Sequence, residues 1–353
     1  MKLKALGLNT PTVRWFSSYL SDRHQLVDLS GTLSSKANIS CGVPQGSILG
    51  PLLFLIYVND MPAVIKNKLL LYADDSAILV SAKNKKDIEC LLSEDLHIVS
   101  EWLISNKLSL HLGKTESILF GSKQRLKSQS QLNIKYNEHS IESKTSVKYL
   151  GATLDQSLSF ETMARSVIQK SNARLKFVYR KSQYLTQHTK KLLIVSLIQC
   201  HFDYASSAWF PSLTQDLKHK LQVTQNKLIR FIFNLNPRSH IDKEHFVRLN
   251  WLPVASRVNQ IILCHVFKMN SNISPAYMKE NFTPINSVHQ YPTRFSVNVS
   301  STLGNKDYRY SDSKRFAIPK VKGVGKHSFA YNSCTLWNNL PQTIRDKTKY
   351  FII

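Results

Sequence analysis

Two adjacent acids, Asp74 and Asp75, are the residues whose type and spacing point most directly to chemistry. They lie in Leu-Leu-Tyr-Ala-Asp-Asp-Ser-Ala-Ile-Leu-Val, residues 70–80, between two short apolar runs. Runs of this length predict a buried hairpin with the acids at its tight turn. Two carboxylates beside a core are costly unless something cationic lies nearby. An ordinary Asp-Asp turn explains the pair equally well, because short motifs match often by chance.

A glycine-rich stretch precedes the acids. Gly42, Gly46 and Gly50 permit close approach of the backbone to a ligand. Pro51 suits the first turn of a helix that continues to Val58. No Gly-Lys-Ser/Thr follows, so the stretch is not a Walker loop. A loop that only packs its helix against a core explains the glycines equally well.

The charge of the chain is large and uneven. The 353 residues carry a net charge of +24, and 42% of them are hydrophobic, enough to build cores. Residues 1–160 contain 18 basic and 14 acidic residues, whereas residues 161–353 contain 29 and 9. Such asymmetry predicts an acidic partner for the second half, and nucleic acid is favoured because phosphate neutralisation releases counterions. An anionic membrane surface is the weaker alternative.

The cysteines and apolar runs exclude several other classes. The five cysteines form no CxxC, and Cys200-His201 and Cys264-His265 lack the two-ligand spacing of a zinc module. They are interpreted as reduced thiols of an intracellular protein. The longest apolar runs, such as Leu192–Ile198, are far too short to cross a bilayer, so no membrane partner is expected.

Periodicity predicts the elements that must position these residues. Alternation predicts strands over 24–29 and 36–41 around a turn at Ser30-Gly31, and a helical stripe extends from Asn84 to Asn106. From residue 161 the pattern is helical, with further helices expected over Lys190–Tyr204, Leu217–Asn234 and Val254–Met269. Beyond Ser271 the chain is rich in Asn, Ser, Pro and Thr, which predicts loose packing or disorder to about Gly325.

The segment Glu161–Lys181 predicts an amphipathic helix with a basic outer face. Its apolar arc consists of Val167, Ile168, Leu175 and Val178. The remaining arc carries Arg165, Lys170, Arg174, Lys176, Arg180 and Lys181. Such a face suits contacts with a nucleic-acid backbone, which position without reading sequence. For any single lysine, a solvated charged face is the simpler explanation.

The order of these motifs resembles the reverse transcriptases of non-LTR (LINE-type, Jockey-like) retrotransposons. Residues 42–51 resemble that family's motif B, and Tyr-Ala-Asp-Asp at 72–75 resembles its motif C. Residues 106–116 resemble motif D, and residues 147–155 resemble motif E, the primer grip. Residues 328–345 resemble a short segment that follows the thumb. The ordered set of four motifs is far more specific than any member.

The resemblance implies an α+β fold. It would be a partial right-hand polymerase palm, an antiparallel sheet with helices, followed by a helical thumb and an irregular C-terminal region. The implied boundaries are a palm with motifs B to E over 1–160, a basic thumb-like region over 161–270 and a loosely structured tail over 271–353.

The resemblance also implies roles for individual residues. Asp74 and Asp75 would be catalytic metal ligands for two Mg²⁺ ions, which prefer hard oxygen donors. Lys114 would be the general acid for the leaving pyrophosphate, although a surface lysine is the simpler explanation for that residue alone. The other implied residues are Tyr72 and Ala73 at the primer end, Gln45 and Gly46 at the nucleotide, Tyr149, Leu150 and Gly151 in the primer grip, and Lys170, Arg174 and Lys181 on nucleic acid.

One essential carboxylate of the family is expected to be absent. Motif A, which carries a metal-bridging Asp, would precede the segment that resembles Lys2–Gln25, so the chain is expected to be truncated and inactive alone. The implied partners are an RNA template with a DNA primer, or their duplex, and deoxynucleotides. The alternative is a non-catalytic nucleic-acid-binding remnant of such an element. An intracellular, nuclear location follows from family analogy only.

Overall fold

The computed structural model describes residues 2–44, 46–128, 131–136, 139–288 and 314–345. Its contacts divide the chain into two compact units. The first consists of Met1–Leu119 and Lys127–Lys144, and the second of Phe120–Leu126 and Thr145–Ile353. Apart from Phe120–Leu126, the division therefore falls at 144/145, whereas the resemblance implies a boundary at 160.

Helices alternate with small sheets in the first part of the chain: three antiparallel pairs, and one three-stranded sheet in which Glu116–Ser117 is parallel to His139–Ser143. In chain order these elements are α1 (Lys2–Ala5), α2 (Thr10–Leu20), β1 (Arg23–Gln25), β2 (Asp28–Leu29), β3 (Thr32–Leu33), β4 (Ala37–Ile39), α3 (Leu49–Val58), β5 (Lys68–Tyr72), β6 (Asp75–Leu79), α4 (Lys85–Ser105), β7 (Glu116–Ser117), α5 (Lys123–Ser128), β8 (Ile134–Tyr136) and β9 (His139–Ser143).

The predicted strands around Ser30-Gly31 form two short paired segments. β1 pairs with β4 and β2 pairs with β3, both antiparallel. Ser30 and Gly31 connect β2 and β3 with φ of 53° and 88°. Positive φ at both central residues is the geometry of a type I′ turn, which matches the twist of the strands it connects. The hairpin predicted from alternation is confirmed.

The long helix α4 divides its apolar stripe between two clusters. Val99, Trp102 and Leu103 pack against β5 and the segment after α3, in a cluster with Val58, Met61, Ile65 and Leu69. Ile88, Leu92 and Leu96 pack instead on the sheet of β7, β9 and β8. The predicted helix 84–106 is confirmed. β7 is short, because it pairs with β9 at two residues only.

The second part of the chain is mainly helical. Its elements are β10 (Ser146–Tyr149), β11 (Ala152–Asp155), α6 (Glu161–Tyr179), α7 (Gln187–Ile194), a π-helical turn (Val195–Gln199), α8 (Cys200–Asp203), α9 (Ser206–Trp209), α10 (Gln215–Phe233), α11 (Lys243–Leu249), α12 (Val254–Asn270), α13 (Ile285–Val288), α14 (Phe329–Asn338) and α15 (Gln342–Arg345). The predicted long helices after residue 160 are present.

These helices enclose the largest core of the described residues. Its fully buried side chains include Ile194, Trp209, Leu221 and Leu228, each with no exposed area. A smaller cluster joins α12 to α14 through Val266, Cys334 and Trp337. Phe282 and Phe316, from the stretch predicted to be loosely packed, are 8% and 7% exposed in that cluster. Residues 289–313 of this stretch lie outside the described residues.

Candidate functional site

The acidic pair lies at the tip of the β5–β6 hairpin. The strands are antiparallel, Tyr72 is opposite Asp75, and Ala73 and Asp74 form the connecting turn. Ala73 has φ of 52°, the positive value that the first turn residue of a type II′ turn adopts. The hairpin and the position of the acids at its turn are therefore as predicted from the sequence.

Burial in the hairpin decreases toward its tip. Leu69 is buried and Ile78 is half-buried, whereas Asp74 and Asp75 are exposed and Tyr72 is 64% exposed. The expectation of acids held beside a core is wrong at the tip, because the turn projects beyond the packed part of the strands. Both carboxylates thus keep their hydration and are accessible to a cation from solvent.

The helix that follows the glycine-rich stretch packs on the same hairpin. Phe54 and Val58 of α3 belong to one apolar cluster with Leu69, Leu71 and Ile78. This cluster fixes α3, and hence the end of the loop that precedes it, against the strands that carry the acids. The elements resembling motifs B and C therefore form one packed group.

The glycines of the loop differ in what they require. Gly42 and Gly46 have φ of 77° and 79°, which L side chains rarely adopt, and a Cβ on either would meet nothing within 4 Å. A Cβ on Gly50 would lie 3.1 Å from Ser47 Oγ and 3.3 Å from the Pro44 carbonyl oxygen. Packing thus explains Gly50, whereas backbone conformation explains the other two. Gln45 lies outside the described residues.

The 3₁₀ helix that carries Lys114 does not pack in the apolar cluster of β5 and β6. Lys114 ends this helix, over Leu112–Lys114, and is exposed. Leu112 packs in the cluster of the β7–β9–β8 sheet, not in the cluster of β5 and β6. The described contacts do not join Lys114 to Asp74, so its predicted role as a general acid stays a prediction.

The donor set at the hairpin suits a divalent cation in kind but is small. Asp74 and Asp75 supply hard carboxylate oxygens, which Mg²⁺ prefers. Within the described ranges, no three His, Cys, Asp or Glu side chains come together in an arrangement that could hold a metal ion. Two carboxylates are therefore too few to make a complete metal site by themselves.

The segment resembling motif E is a second tight hairpin. β10 and β11 are antiparallel, and the turn residues Leu150 and Gly151 have φ of 46° and 80°, as a type I′ turn requires. The Tyr204 hydroxyl donates a hydrogen bond to the Leu150 carbonyl. A Cβ on Gly151 would lie 3.2 Å from Tyr204 Cε1. The turn that contains Leu150 and Gly151, two of the expected primer-grip residues, is thus held by a tyrosine that the sequence pattern did not indicate.

A single carboxylate joins this hairpin to α6. Asp155 accepts hydrogen bonds from the Ser157 hydroxyl at 2.6 Å and from the amides of Ser157, Ser159 and Phe160 at 3.2, 3.1 and 2.7 Å. Burial alone would raise the pKa of Asp155, but these donors outweigh it, and the pKa lies below its ordinary value. Leu158 and Phe160 are held in the left-handed region by this arrangement.

The basic face of α6 is exposed as predicted. The cations Arg165, Lys170, Arg174, Lys176, Arg180 and Lys181 are all exposed. Arg165 pairs with Glu161 at 2.5 Å. Arg174 Nη1 donates to the Leu197 carbonyl in the π-helical turn. Among the described residues, Lys170, Arg174 and Lys181 form no ion pair, so their charge faces solvent.

Comparison with known proteins agrees with this arrangement of motifs. Residues 1–154 match the family model described as reverse transcriptase (RNA-dependent DNA polymerase). These residues are named here the reverse transcriptase region, after the family that they match. Within this reverse transcriptase region lie the glycine-rich loop, the acidic hairpin, α4 and nearly all of the β10–β11 hairpin.

The similarity to individual proteins extends beyond the reverse transcriptase region. The probable RNA-directed DNA polymerase from transposon X-element of Drosophila melanogaster is 26% identical over 233 residues, 64% of this chain and 25% of that protein. The RNA-directed DNA polymerase from mobile element jockey of Drosophila funebris is 28% identical over 244 residues, 65% of this chain and 26% of that protein. The chain spans about a quarter of the length of these relatives. The resemblance to non-LTR reverse transcriptases is confirmed.

The sequence did not indicate several polar anchors of the reverse transcriptase region. Lys2 Nζ donates to Asp60 Oδ1 at 2.7 Å and lies 4.8 Å from the ring centroid of Trp102. Asp95 is 2% exposed and accepts from Asn67 Nδ2 at 2.8 Å. Each pair is separated by 28 residues or more, so no local spacing could reveal it.

No described helix combines the length and hydropathy needed to cross a membrane.

Proposed function

We propose that Asp74 and Asp75 are divalent-metal ligands of an RNA-directed DNA polymerase site, and that α6 binds the backbone of the template–primer. The observation that carries the proposal is the exposed acidic pair at the tight turn of a hairpin whose strands pack on the helix that follows the glycine-rich loop. It lies in residues that match the reverse transcriptase family. In this assignment residues 1–160 are palm, 161–270 thumb and 271–353 tail.

The other residues take positioning roles in this proposal. Tyr72 and Ala73 shape the approach to the primer end, because both are exposed beside the acids. Gln45 and Gly46 meet the incoming deoxynucleotide, and Tyr149, Leu150 and Gly151 meet the primer strand. Mg²⁺, when bound, would stabilise negative charge at the reacting phosphate. The protein supplies carboxylate oxygens that are exposed, so the folded chain holds both charges without a burial penalty before the ion binds.

We further propose that the chain alone does not catalyse polymerisation. Two metal ions need more oxygen ligands than two adjacent carboxylates supply. The purified chain is expected to give no extension of oligo(dT) on poly(rA) with Mg²⁺ and dTTP. Extension that is lost in Asp74→Asn would contradict this expectation of inactivity, yet it would establish the polymerase function directly.

Binding of nucleic acid is proposed to survive without chemistry. The second half of the chain carries 29 basic and 9 acidic residues after residue 160, and the cations of α6 are exposed. We expect binding of an RNA–DNA duplex with an affinity that falls steeply with salt and depends little on sequence. Binding without extension favours the non-catalytic remnant, whereas extension favours the polymerase.

A charge-matched comparison tests whether α6 is the binding face. The triple variant Lys170→Gln, Arg174→Gln and Lys181→Gln is expected to bind the duplex more weakly and to reduce the salt slope by about 3, because each phosphate contact contributes roughly 0.9. The matched control removes three exposed lysines elsewhere, Lys227, Lys243 and Lys268. Equal losses in the two triple variants would refute the assignment to α6.

A further inference from the structure

One face of α6 places an aromatic ring between three cations. Lys170, Arg174, Phe177 and Lys181 are spaced by four, three and four residues, the spacing that puts side chains on one helix face. The helix ends at Tyr179, and Arg180 keeps helical dihedrals, so Lys181 lies close to the continuation of that face. The face is named here the Phe177 stripe, after its central residue.

Phe177 contributes little to the core. It is 70% exposed, whereas its neighbours Leu175 and Val178 are 8% and 5% exposed and provide the packing of this part of α6. A single exposed apolar residue needs no explanation by itself. Phe177, however, lies among positively charged side chains, which repel each other and do not pack together. An exposed ring in this setting indicates a ligand-binding face.

One cation of the stripe is held in place by a hydrogen bond, and none of the three forms an ion pair among the described residues. Arg174 is anchored by its bond to the Leu197 carbonyl, and Lys170 and Lys181 form no ion pair among the described residues. The positive charges of the stripe also act on His201. Burial first, and then the charges of Arg174 and Lys170, lower the pKa of its imidazole. The helix dipole favours a cation at Lys181, but it does not explain Lys170 or Arg174 in the helix interior.

The spacing suits a strand of phosphates that carries unpaired bases. At about 1.5 Å per residue, Lys170 and Arg174 are roughly 6 Å apart along the axis, and Arg174 and Lys181 roughly 10 Å. Phe177 lies between the last two. A base pair inside a duplex offers only its edges and phosphates to a protein, whereas an unpaired base offers a face on which an aromatic ring stacks.

We infer that the Phe177 stripe binds single-stranded nucleic acid, with a base stacked on Phe177 and phosphates contacting Lys170, Arg174 and Lys181. The inference rests on the proposed function in that α6 meets nucleic acid, and it adds that the same face also binds an unpaired segment, through the ring that a duplex does not use. Stacking on one ring is sequence-tolerant, because every base has a π face. The partner is therefore an unpaired stretch of RNA or DNA without a required sequence.

Substitution of the ring separates stacking from charge. Phe177→Leu keeps an apolar side chain but removes the π face, so the affinity for a labelled 12-nucleotide oligo(rU) or oligo(dT) is expected to fall about 5-fold or more. Phe177→Trp is expected to retain it. The matched control is Tyr277→Leu, which removes a ring that is 64% exposed in the same unit. All measurements use the full chain at one fixed salt concentration.

Binding to a duplex separates a failure of the inference about Phe177 from a failure of the proposed function of α6. Phe177→Leu is expected to leave the affinity for a 12-base-pair RNA–DNA duplex within about 2-fold of wild type. Equal single-strand affinity for Phe177→Leu and Tyr277→Leu, with duplex binding intact, overturns the inference and leaves the proposed function standing. If the wild-type chain binds neither the single strand nor the duplex, the inference and the proposed function are both overturned. Ultraviolet cross-linking of oligo(dT) is expected to mark the peptide that contains Phe177, and a cross-link confined to other peptides contradicts the inference.

Discussion

Removal of the Asp155 carboxylate is expected to loosen the junction between the β10–β11 hairpin and α6. Four donor contacts converge on this group, from one hydroxyl and three backbone amides. A hydrogen bond to a charged group contributes about 1.5–3 kcal/mol, but these bonds share one half-buried carboxylate, so their contributions do not add. Asp155→Ala is therefore expected to lower the free energy of unfolding by about 3 kcal/mol, and Asp155→Asn by about half as much.

Urea unfolding followed by tryptophan fluorescence measures this loss. Trp209 is fully buried in the core that also contains Phe160, so its emission reports on the same region. With a slope of about 3 kcal/mol per M, the midpoint is expected to fall by about 1 M. The control is Asp216→Ala, which removes an exposed carboxylate paired with Lys220 at 2.7 Å and is expected to cost only about 0.5 kcal/mol. Equal shifts in Asp155→Ala and Asp216→Ala would refute the reasoning.

The pH dependence of this difference follows from the lowered pKa of Asp155. In the folded chain the pKa of this carboxyl lies below its ordinary value of 3.8, so the unfolded chain takes up the proton first. The stabilisation by Asp155 is complete above that ordinary value and is lost as the pH falls through the folded pKa. The gap in unfolding free energy between wild type and Asp155→Ala is thus expected to narrow below pH 3.8, and a gap that widens there would contradict the sign.

Three further substitutions are expected to change stability in stated directions, each measured by urea midpoint. Gly151→Ala should cost about 1–2 kcal/mol, because it puts a Cβ at a φ of 80° and 3.2 Å from Tyr204 Cε1; no loss would contradict the turn geometry. Ala73→Gly should gain about 0.5–1 kcal/mol by relieving a φ of 52°, and a loss would show that the turn is unstrained. Leu221→Ala, at a fully buried site, should cost about 2–5 kcal/mol, and a cost below that range would mean that the core collapses around the cavity.

The elements that depend on local spacing were predictable. The two apolar runs within residues 70–80 and the Ser30-Gly31 pair specify hairpins, and both turns have the positive φ that such loops require. The 3.6-residue stripe of Glu161–Lys181 likewise specifies a helix whose buried side includes Val167 and Leu175. Period and turn chemistry act between neighbours in sequence, so one chain is enough to read them.

The contacts that depend on distant residues were not predictable. The Tyr204 hydroxyl bonds to the Leu150 carbonyl, 54 residues away in sequence, and no sequence pattern at either position predicts this hydrogen bond. The exposure of Asp74 follows from how far the turn extends beyond the cluster around Leu69, which is a property of packing. Phe177 could be placed on its stripe from sequence, but its exposure required knowing which arc of α6 meets the core.

The accessibility of Asp74 and Asp75 to a divalent cation is the property on which the account depends most. Fe²⁺ with peroxide generates hydroxyl radicals wherever it binds, and these cut the nearest backbone. Cleavage of the full chain is expected within a few residues of Asp74. It should be suppressed by excess Mg²⁺ and absent in the double variant Asp74→Asn and Asp75→Asn. Asp28→Asn, in the strand that precedes the Ser30-Gly31 turn, should leave the cleavage unchanged. Cleavage that persists in the double variant, or no cut near Asp74, would contradict the assignment of this hairpin as a metal-binding part of a polymerase site.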